Sequence, residues 1–314
     1  MKFPYLLFIL ISLQFNASAQ HIKKDDLRLL KSKEDSMTKN AIEILQGINT
    51  TDRFIADSTF TKMLVRALKT KNSFYYSFDS LFTISKLYAP DSSFKIFTWQ
   101  LVIDENKTWQ HGAIQMKTED GSLKLIPLFD KSDFIENIED TIGNNFSWIG
   151  AVYYKIVLNK RNNENYYTLL GYDENDIRSN RKIIELLHFE NAVPIFGGKY
   201  FSVPDDNIKP KNHARFIMEY KKEAGPRLTY DDELGMIIME HLISPSNEPN
   251  KKFTLIGDGD YEGFKWLNGK WVYISKVFNE VTPEGNAPIP NPIRDDNGNI
   301  DDQKLKGRES EKKN

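Results

Sequence analysis

The hydrophobic period of this 314-residue chain changes near Phe94, and that change restricts the possible folds more than any other feature. Between residues 24 and 89, apolar side chains recur every three or four positions, which is typical of amphipathic helices. From Phe94 onward they alternate with polar side chains, and turn signals recur at short intervals. The sequence therefore predicts an α+β, mainly β fold. In it, an N-terminal helical region packs on a large antiparallel β-meander that is sandwich-, barrel- or propeller-like.

The helical region is predicted to cover residues 20–90. Its first apolar stripe contains Leu27, Leu30, Ala41, Ile44, Leu45 and Ile48. Asp52 is a suitable N-cap for a second helix, because a side-chain carboxylate can accept hydrogen bonds from the free N–H groups of the first turn. A third apolar stripe, from Phe74 to Tyr88, ends before Pro90 and extends the helical prediction to that point.

The antiparallel β domain is predicted to cover residues 91–280, with about twelve strands. Its clearest hairpin turns at Asn268-Gly269, a pair that favours the type I′ turn. Another predicted hairpin joins RFIMEYKK to RLTYD across residues 223–226. One helix is predicted at residues 133–142, capped by Ser132. Residues 176–189 fit either period, and a strand is favoured because the neighbouring segments are strands.

Residues 1–19 have the pattern of a signal peptide, with Lys2, an apolar run from Tyr5 to Phe15, and Ala17-Ser18-Ala19 as the cleavage site. We therefore expect an exported protein, periplasmic or secreted, with no transmembrane segment in the mature chain. Residues 281–314 are rich in proline and charge and poor in apolar residues, which predicts a disordered tail.

Composition excludes several functional classes. The chain has no cysteine, which rules out disulfides, thiolate metal sites and cysteine nucleophiles. Its formal net charge of −2 argues against a nucleic-acid partner, since such proteins normally carry a basic excess. No nucleophile elbow, phosphate-binding loop or zinc-binding spacing of histidines is present, so no catalytic residue is assigned.

The candidate ligand-binding residues are charged side chains between apolar runs: Asp173, Asp176, Arg178, Arg181, Arg227 and Asp231. The first four are predicted to line a pocket at one sheet edge, although hydrogen-bonded turns between strands would explain the same residues. A hydrolase would need two carboxylates facing each other across a cleft. For that alternative the candidates are Asp173, Asp176, Asp231, Asp258 and Asp260.

The candidate metal ligands are Asp258, Asp260 and Glu262, which alternate before Gly263 as in the first half of a calcium loop. Gly269 stands where that motif requires its last glutamate, and a plain acidic turn has the same composition. No cofactor is expected, with Ca²⁺ the one ion that this stretch suggests. The five tryptophans raise the further alternative of a sugar-stacking platform, whereas cross-strand packing is the commoner role of aromatic residues in sheets.

A series of ordered blocks resembles a family of uncharacterised exported proteins of Bacteroidota. The blocks, spread over residues 90–280, are WIGAVYY, YYTLLGYD, SNRK, FGG, RFIMEYKKEAGPRLTYD, MEHL, DGDYEGF and GKW. The resemblance implies a β-rich body and a setting in the Gram-negative cell envelope. It implies no activity and no site residue.

These features lead to one main functional hypothesis and two alternatives. The main hypothesis is a non-enzymatic binding or interaction module of the cell envelope, with an envelope protein or a glycan as its partner. The alternatives are a periplasmic hydrolase using paired carboxylates, and a calcium-stabilised glycan-binding scaffold.

Overall fold

The structure is a computed structural model that describes residues 22–204 and 211–278. The chain divides into two compact units, Met1–Val277 and Phe278–Asn314, and every element below belongs to the first. The predicted signal peptide and the predicted disordered tail lie outside the described residues. No helix in the described ranges is both long enough and apolar enough to cross a membrane.

The predicted fold class is confirmed, since two N-terminal helices precede antiparallel sheets and about 45% of residues lie in strands. Helix α1 spans Lys24–Gln46 and helix α2 spans Thr50–Leu68. Helix α2 begins after Asn49, three residues earlier than predicted. Asp52 lies in its first turn, where a carboxylate is favoured by the helix dipole, and accepts a hydrogen bond from Asn49 Nδ2 at 3.1 Å.

The prediction of a third helical stripe, from Phe74 to Tyr88, is wrong. Residues 73–75 form one 3₁₀ turn, and Ser85–Tyr88 form strand β1. Phe78 has a positive φ of 57°, which a helix does not tolerate, and the segment gains its order from pairing with the following strand. Part of this apolar stripe nevertheless lies in the core, since Phe74, Phe78 and Leu81 are buried.

Strands fill the rest of the described chain. They are β1 Ser85–Tyr88, β2 Phe94–Asp104, β3 Lys107–Met116, β4 Lys124–Phe129, β5 Gly143–Asn144, β6 Val152–Arg161, β7 Glu164–Asp173, β8 Ser179–Glu190, β9 Val193–Phe196, β10 Phe201–Val203, β11 Lys211–His213, β12 Arg215–Lys221, β13 Leu228–Asp231, β14 Met236–Ile243, β15 Ile256–Leu267 and β16 Lys270–Ile274. The favoured strand in residues 176–189 is confirmed by β8.

The strands form three sheets. The first sheet has the order β1-β2-β3-β4, the central sheet β5-β9-β8-β7-β6, and the last sheet β11-β10-β16-β15-β14-β13. Strand β12 also pairs with the long strand β8, so β9 and β12 occupy successive parts of the same edge of β8. Neighbours are antiparallel except β10 and β16, which are parallel.

The three sheets stack in layers, because neighbouring residues of one strand point to opposite faces of its sheet and pack in different cores. On β2, Phe97 and Trp99 pack against the helices, while Phe94 and Ile96 pack against the central sheet. On β8, neighbouring apolar residues likewise divide between the core shared with the first sheet and the core shared with the last sheet. The central sheet is therefore buried on both faces, which explains the nearly continuous apolar runs of β7 and β8.

Turn predictions succeed where the signal is local. Asn268 and Gly269 have φ of 52° and 77° and join β15 to β16 as predicted. The predicted hairpin between RFIMEYKK and RLTYD is wrong. Strand β12 pairs with β8 of the central sheet, whereas β13 pairs with β14 of the last sheet, so the chain crosses between layers at residues 222–227.

The predicted helix at residues 133–142 is also wrong, because only a 3₁₀ turn forms at Ser132–Phe134. Two side chains from elsewhere hold this segment instead. The Asp130 carboxylate accepts hydrogen bonds from the Ser132 and Gly150 N–H groups, at 2.9 and 3.1 Å. The Arg215 guanidinium donates to the carbonyl oxygens of Ile138 and Thr141, which are then satisfied without a helix.

Candidate functional site

Of the predicted binding residues, Asp173 and Arg181 lie side by side. They are cross-strand neighbours on β7 and β8. Asp173 accepts a hydrogen bond from Gln110 Nε2 at 3.1 Å, and Arg181 Nε donates to Glu219 Oε2 at 2.9 Å. Burial raises the pKa of Asp173 to about 6, although the nearby positive charge of Arg181 opposes that shift.

The loop residues between these strands form a turn. Asp176 Oδ1 accepts hydrogen bonds from the N–H groups of Arg178 and Ser179 at 2.7 and 2.8 Å. The Arg178 guanidinium lies over the Phe253 ring, 4.5 Å from its centroid. A hydrogen-bonded turn, the alternative to the binding hypothesis, therefore accounts for the position of Asp176.

Arg227 and Asp231 belong to the last sheet and have local roles there. The Arg227 N–H donates to Glu240 Oε2 at 3.0 Å. Asp231 Oδ1 accepts from the N–H groups of Glu233 and Leu234, both at 2.9 Å, and so closes the turn between β13 and β14. The structure does not bring this pair together with Asp173 and Arg181 in one pocket.

The proposed calcium ligands lie on strand β15, where each has its own surroundings. Asp258 Oδ2 is 2.8 Å from His241 Nδ1, a hydrogen bond that lowers the pKa of Asp258 and raises that of His241. Glu262 accepts a hydrogen bond from the Tyr273 hydroxyl, and burial raises its pKa. Within residues 22–204 and 211–278, no three acidic or histidine side chains are placed to hold a metal ion, so the geometry gives the calcium hypothesis no support.

The hydrolase alternative gains no carboxylate pair from the structure. Asp173 bonds to Gln110, Asp176 and Asp231 close turns, and Asp258 bonds to His241. Of the five tryptophans suggested as a sugar-stacking platform, Trp99, Trp148 and Trp271 are buried in three separate cores, whereas Trp109 is 40% exposed.

A cleft of about 870 Å³ lies beside strand β12. It runs between the segment 132–139 and the end of the last sheet. Its main lining residues are Ile135, Glu136, Ile138 and Glu139 on the first side, Arg215, Phe216, Ile217, Met218 and Glu219 of β12, and His241, Leu242, Lys252, Leu255 and Glu262 on the far side. Of the candidate residues predicted from sequence, Arg181 and Glu262 also line it.

Strand β12 presents an open hydrogen-bonding edge to this cleft. One edge pairs with β8. On the other edge, the Arg215 N–H donates to Glu139 O at 3.0 Å and the Lys221 N–H donates to Leu255 O at 2.9 Å. Antiparallel strands direct alternate residues to each edge, so Ile217 and Glu219 face the same way as Arg215 and Lys221. In the described ranges no backbone group accepts from the N–H of Ile217 or Glu219.

The cleft has an apolar wall on each side of this edge. Ile135 and Ile138 pack against the core between the first and central sheets. Phe216 and Leu242 pack against the core between the central and last sheets. An extended chain lying along β12 would alternate its side chains between these two walls.

Charge in the cleft is negative on balance. Among the lining residues, Arg181 and Arg215 are paired with Glu219 and Glu185, and His213 and His241 are paired with Asp140 and Asp258. The other charged lining residues are the carboxylates Glu136, Glu139 and Glu262 and the cation Lys252. Of these carboxylates, Glu136 and Glu139 are exposed and form no ion pair with a described residue. A neutral or basic ligand therefore suits this surface better than an acidic one.

A buried ion pair forms the inner end of the cleft. Arg215 Nε donates to Glu185 Oε2 at 3.0 Å, with both side chains fully buried. The other Glu185 oxygen accepts from the Tyr153 hydroxyl, which in turn accepts from Trp148 Nε1 at 2.7 Å. This chain of bonds fixes the start of β12 and therefore the position of its open edge.

Sequence reasoning missed the cleft because RFIMEYKK was assigned to an ordinary hairpin. The available signal was the set of apolar side chains at Phe216, Met218 and Tyr220, every second residue, which indicates a strand but not an open edge. No family model, curated protein or solved structure matches this chain.

Proposed function

We propose that this protein is a non-enzymatic binding module that captures an extended segment of another polypeptide by adding it as a strand to β12. The observation that carries the proposal is the free N–H edge at Ile217 and Glu219 inside a walled cleft. Strand addition supplies affinity through main-chain hydrogen bonds and selectivity through pockets for alternate side chains. The predicted signal peptide and the family resemblance support the cell envelope as the setting of this event.

An open strand edge is normally a liability that proteins protect, because it can pair with unrelated chains. Here the protection is partial and local. Glu139 and Leu255 occupy the two ends of the edge, while Phe216–Tyr220 between them have no backbone partner on that side among the residues that the structure describes. At about 3.4 Å per residue this window is roughly 17 Å long, enough for a segment of about five residues.

The walls and charges favour one chemical class of ligand. Apolar side chains at alternate positions would pack against Phe216 and Leu242 on one face. Lysine or arginine at the positions between them would face the other wall, where the exposed carboxylates of Glu136 and Glu139 lie beside Ile135 and Ile138. We therefore expect an extended apolar–basic segment as the partner's binding element.

The test uses NMR titration of the protein with a capped hexapeptide of alternating valine and lysine. The proposal predicts saturable shifts at the Ile217 and Glu219 amides and slower hydrogen exchange there. The same peptide N-methylated on its pairing edge should lose this binding, because the methyl groups remove its main-chain donors. A valine–glutamate peptide of equal length should bind more weakly.

The matched change in the protein is Ile217→Pro. The Ile217 N–H points away from β8, so proline at this edge position removes no bond of the β8–β12 ladder. We expect about a fivefold loss of peptide affinity, corresponding to one net hydrogen bond. Ile217→Val keeps the N–H and should bind as the parent does. Equal affinity for methylated and unmethylated peptides, shifts that map away from β12, or no saturable binding of the valine–lysine peptide would each refute strand addition.

A further inference from the structure

A second depression, separate from the β12 edge, opens beside the first sheet and has a volume of about 330 Å³. Three aromatic residues around it keep large exposed fractions, 40% for Trp109, 46% for Phe129 and 79% for Phe134. Phe146, 66% exposed, stacks on Phe129 with ring centroids 5.7 Å apart. A group of exposed aromatic rings of this kind marks a contact surface, because folding of the chain alone would favour burying them.

An oriented histidine also lines this depression. His111 Nδ1 lies 2.9 Å from Asp57 Oδ1, and the same oxygen accepts a hydrogen bond from Trp99 Nε1 at 2.8 Å. Asp57 is buried beneath the sheet, whereas about a third of the His111 side chain is exposed. Because Nδ1 is bonded to the buried carboxylate, Nε2 is the ring nitrogen left for another partner. No described residue bonds to Nε2.

The charged groups at the rim leave little net charge. Lys107 Nζ forms an ion pair with Asp133 at 2.7 Å, and Lys131 lies over the Phe134 ring, 5.2 Å from its centroid. The Asp130 carboxylate already accepts hydrogen bonds from the N–H groups of Gln110, Ser132 and Gly150. The rim therefore offers both hydrogen-bond donors and acceptors next to aromatic faces.

We propose that this depression binds a saccharide. One face of a sugar ring carries C–H groups that pack on aromatic rings, while its hydroxyls both donate and accept hydrogen bonds. Trp109, Phe129 and Phe134 supply the first kind of contact, and His111 Nε2 with the Lys107–Asp133 pair supplies the second. A purely apolar ligand would bury these polar groups without partners. The volume lies at the lower end of ligand pockets, about 300–1,000 Å³, which suits one or two sugar units.

The experiment is saturation-transfer NMR on the full chain with three soluble probes: maltotriose, cellotriose and triacetylchitotriose. At least one should show saturable binding in the millimolar range, with the strongest transfer at ring C–H protons. Phe134→Ala removes an exposed ring that packs little of the core and should lower affinity about fivefold. Phe82→Ala is the matched control, since Phe82 is 70% exposed and does not line the depression, and it should bind as the parent does.

A second variant tests the polar contact. His111→Phe keeps a ring of similar shape but removes both nitrogens, so it should weaken sugar binding while Trp109 still stacks. Absence of saturable binding for all three probes overturns the proposal, as does an equal effect of Phe134→Ala and Phe82→Ala. Unchanged affinity in His111→Phe would also overturn it, because an apolar patch alone would then explain the contact. Peptide capture at β12 does not enter these readouts, so the two proposals can fail separately.

Discussion

The buried ion pair at the inner end of the cleft gives the sharpest prediction about stability. Arg215→Met removes the guanidinium but keeps a long apolar side chain. The substitution removes three hydrogen bonds of the guanidinium, which go to Glu185 Oε2 at 3.0 Å, to Thr141 O at 2.8 Å and to Ile138 O. Glu185 then stays buried with the Tyr153 hydroxyl as its remaining hydrogen-bond donor.

The magnitude follows from this geometry. Removing one partner of a buried ion pair costs about 3–5 kcal/mol, because the remaining charge is left without compensation. That loss is large beside the roughly 5–15 kcal/mol by which a native protein is stable. By contrast, Arg181→Met breaks an ion pair with Glu219 whose side chains keep 23% and 21% of their exposure, and should cost only about 1 kcal/mol.

Urea unfolding followed by tryptophan fluorescence measures both free energies, since Trp148 is buried and hydrogen-bonded to Tyr153. Arg215→Met should lower the urea midpoint clearly more than Arg181→Met does. Adding Glu185→Gln to Arg215→Met removes the stranded charge, so the double variant should be at least about 2 kcal/mol more stable than additivity predicts.

Two results would refute this reasoning. The first is an Arg215→Met cost of about 1 kcal/mol or less, similar to that of the partly exposed pair. The second is additivity of Arg215→Met and Glu185→Gln, since independent effects would mean that the two charges do not compensate each other.

Two further predictions concern Asp173 and the last hairpin. Because burial raises the Asp173 pKa from 3.8 to about 6, the folded state holds this proton more tightly than the unfolded state, and stability falls as pH rises through 6. Asp173→Asn should therefore match the parent near pH 4 and exceed it at pH 8 by about 1–3 kcal/mol in urea unfolding; a constant difference across pH would contradict this. Gly269→Ala should cost about 1–2 kcal/mol, because φ is 77° and the new Cβ would lie 2.9 Å from Arg161 Cγ. Gly225→Ala, where a Cβ meets nothing within 4 Å, is its control in thermal melts, and equal melting temperatures of the two variants would disprove the turn argument.

The outcome of the sequence predictions depends on how far apart the deciding groups lie in the chain. Helix α1 and the hairpin at Asn268-Gly269 were predictable, since their stabilising contacts lie within a few residues. The predicted helix at residues 133–142 failed because Arg215, more than seventy residues later, takes the carbonyl oxygens that a helix would have used. Its apolar stripe is real, and Ile135 and Ile138 pack on a core, but the segment forms only isolated turns.

The candidate site shows the same division. Asp173 and Arg181, predicted to line a pocket at one sheet edge, lie opposite each other on β7 and β8, next to a polar loop whose position between two apolar runs is a local signal. Arg181 lines the cleft, whereas Asp176 and Asp231 close turns. The sequence analysis predicted neither the cleft nor the pairing of His111 with Asp57, two residues separated by fifty-four positions.

The sequence by itself determined the elements of this protein: two amphipathic helices, a run of alternating strands, and the turns whose φ values only glycine or asparagine adopt readily. Periodicity and turn chemistry act over a few residues, so they are visible in one dimension. Tertiary structure alone decided which strand edges are covered. Strand β12 has an open edge in the described chain because the next strand, β13, pairs with β14 of the last sheet and not with β12. Hydrogen bonds between distant strands set that arrangement, and no local pattern in residues 215–221 encodes it.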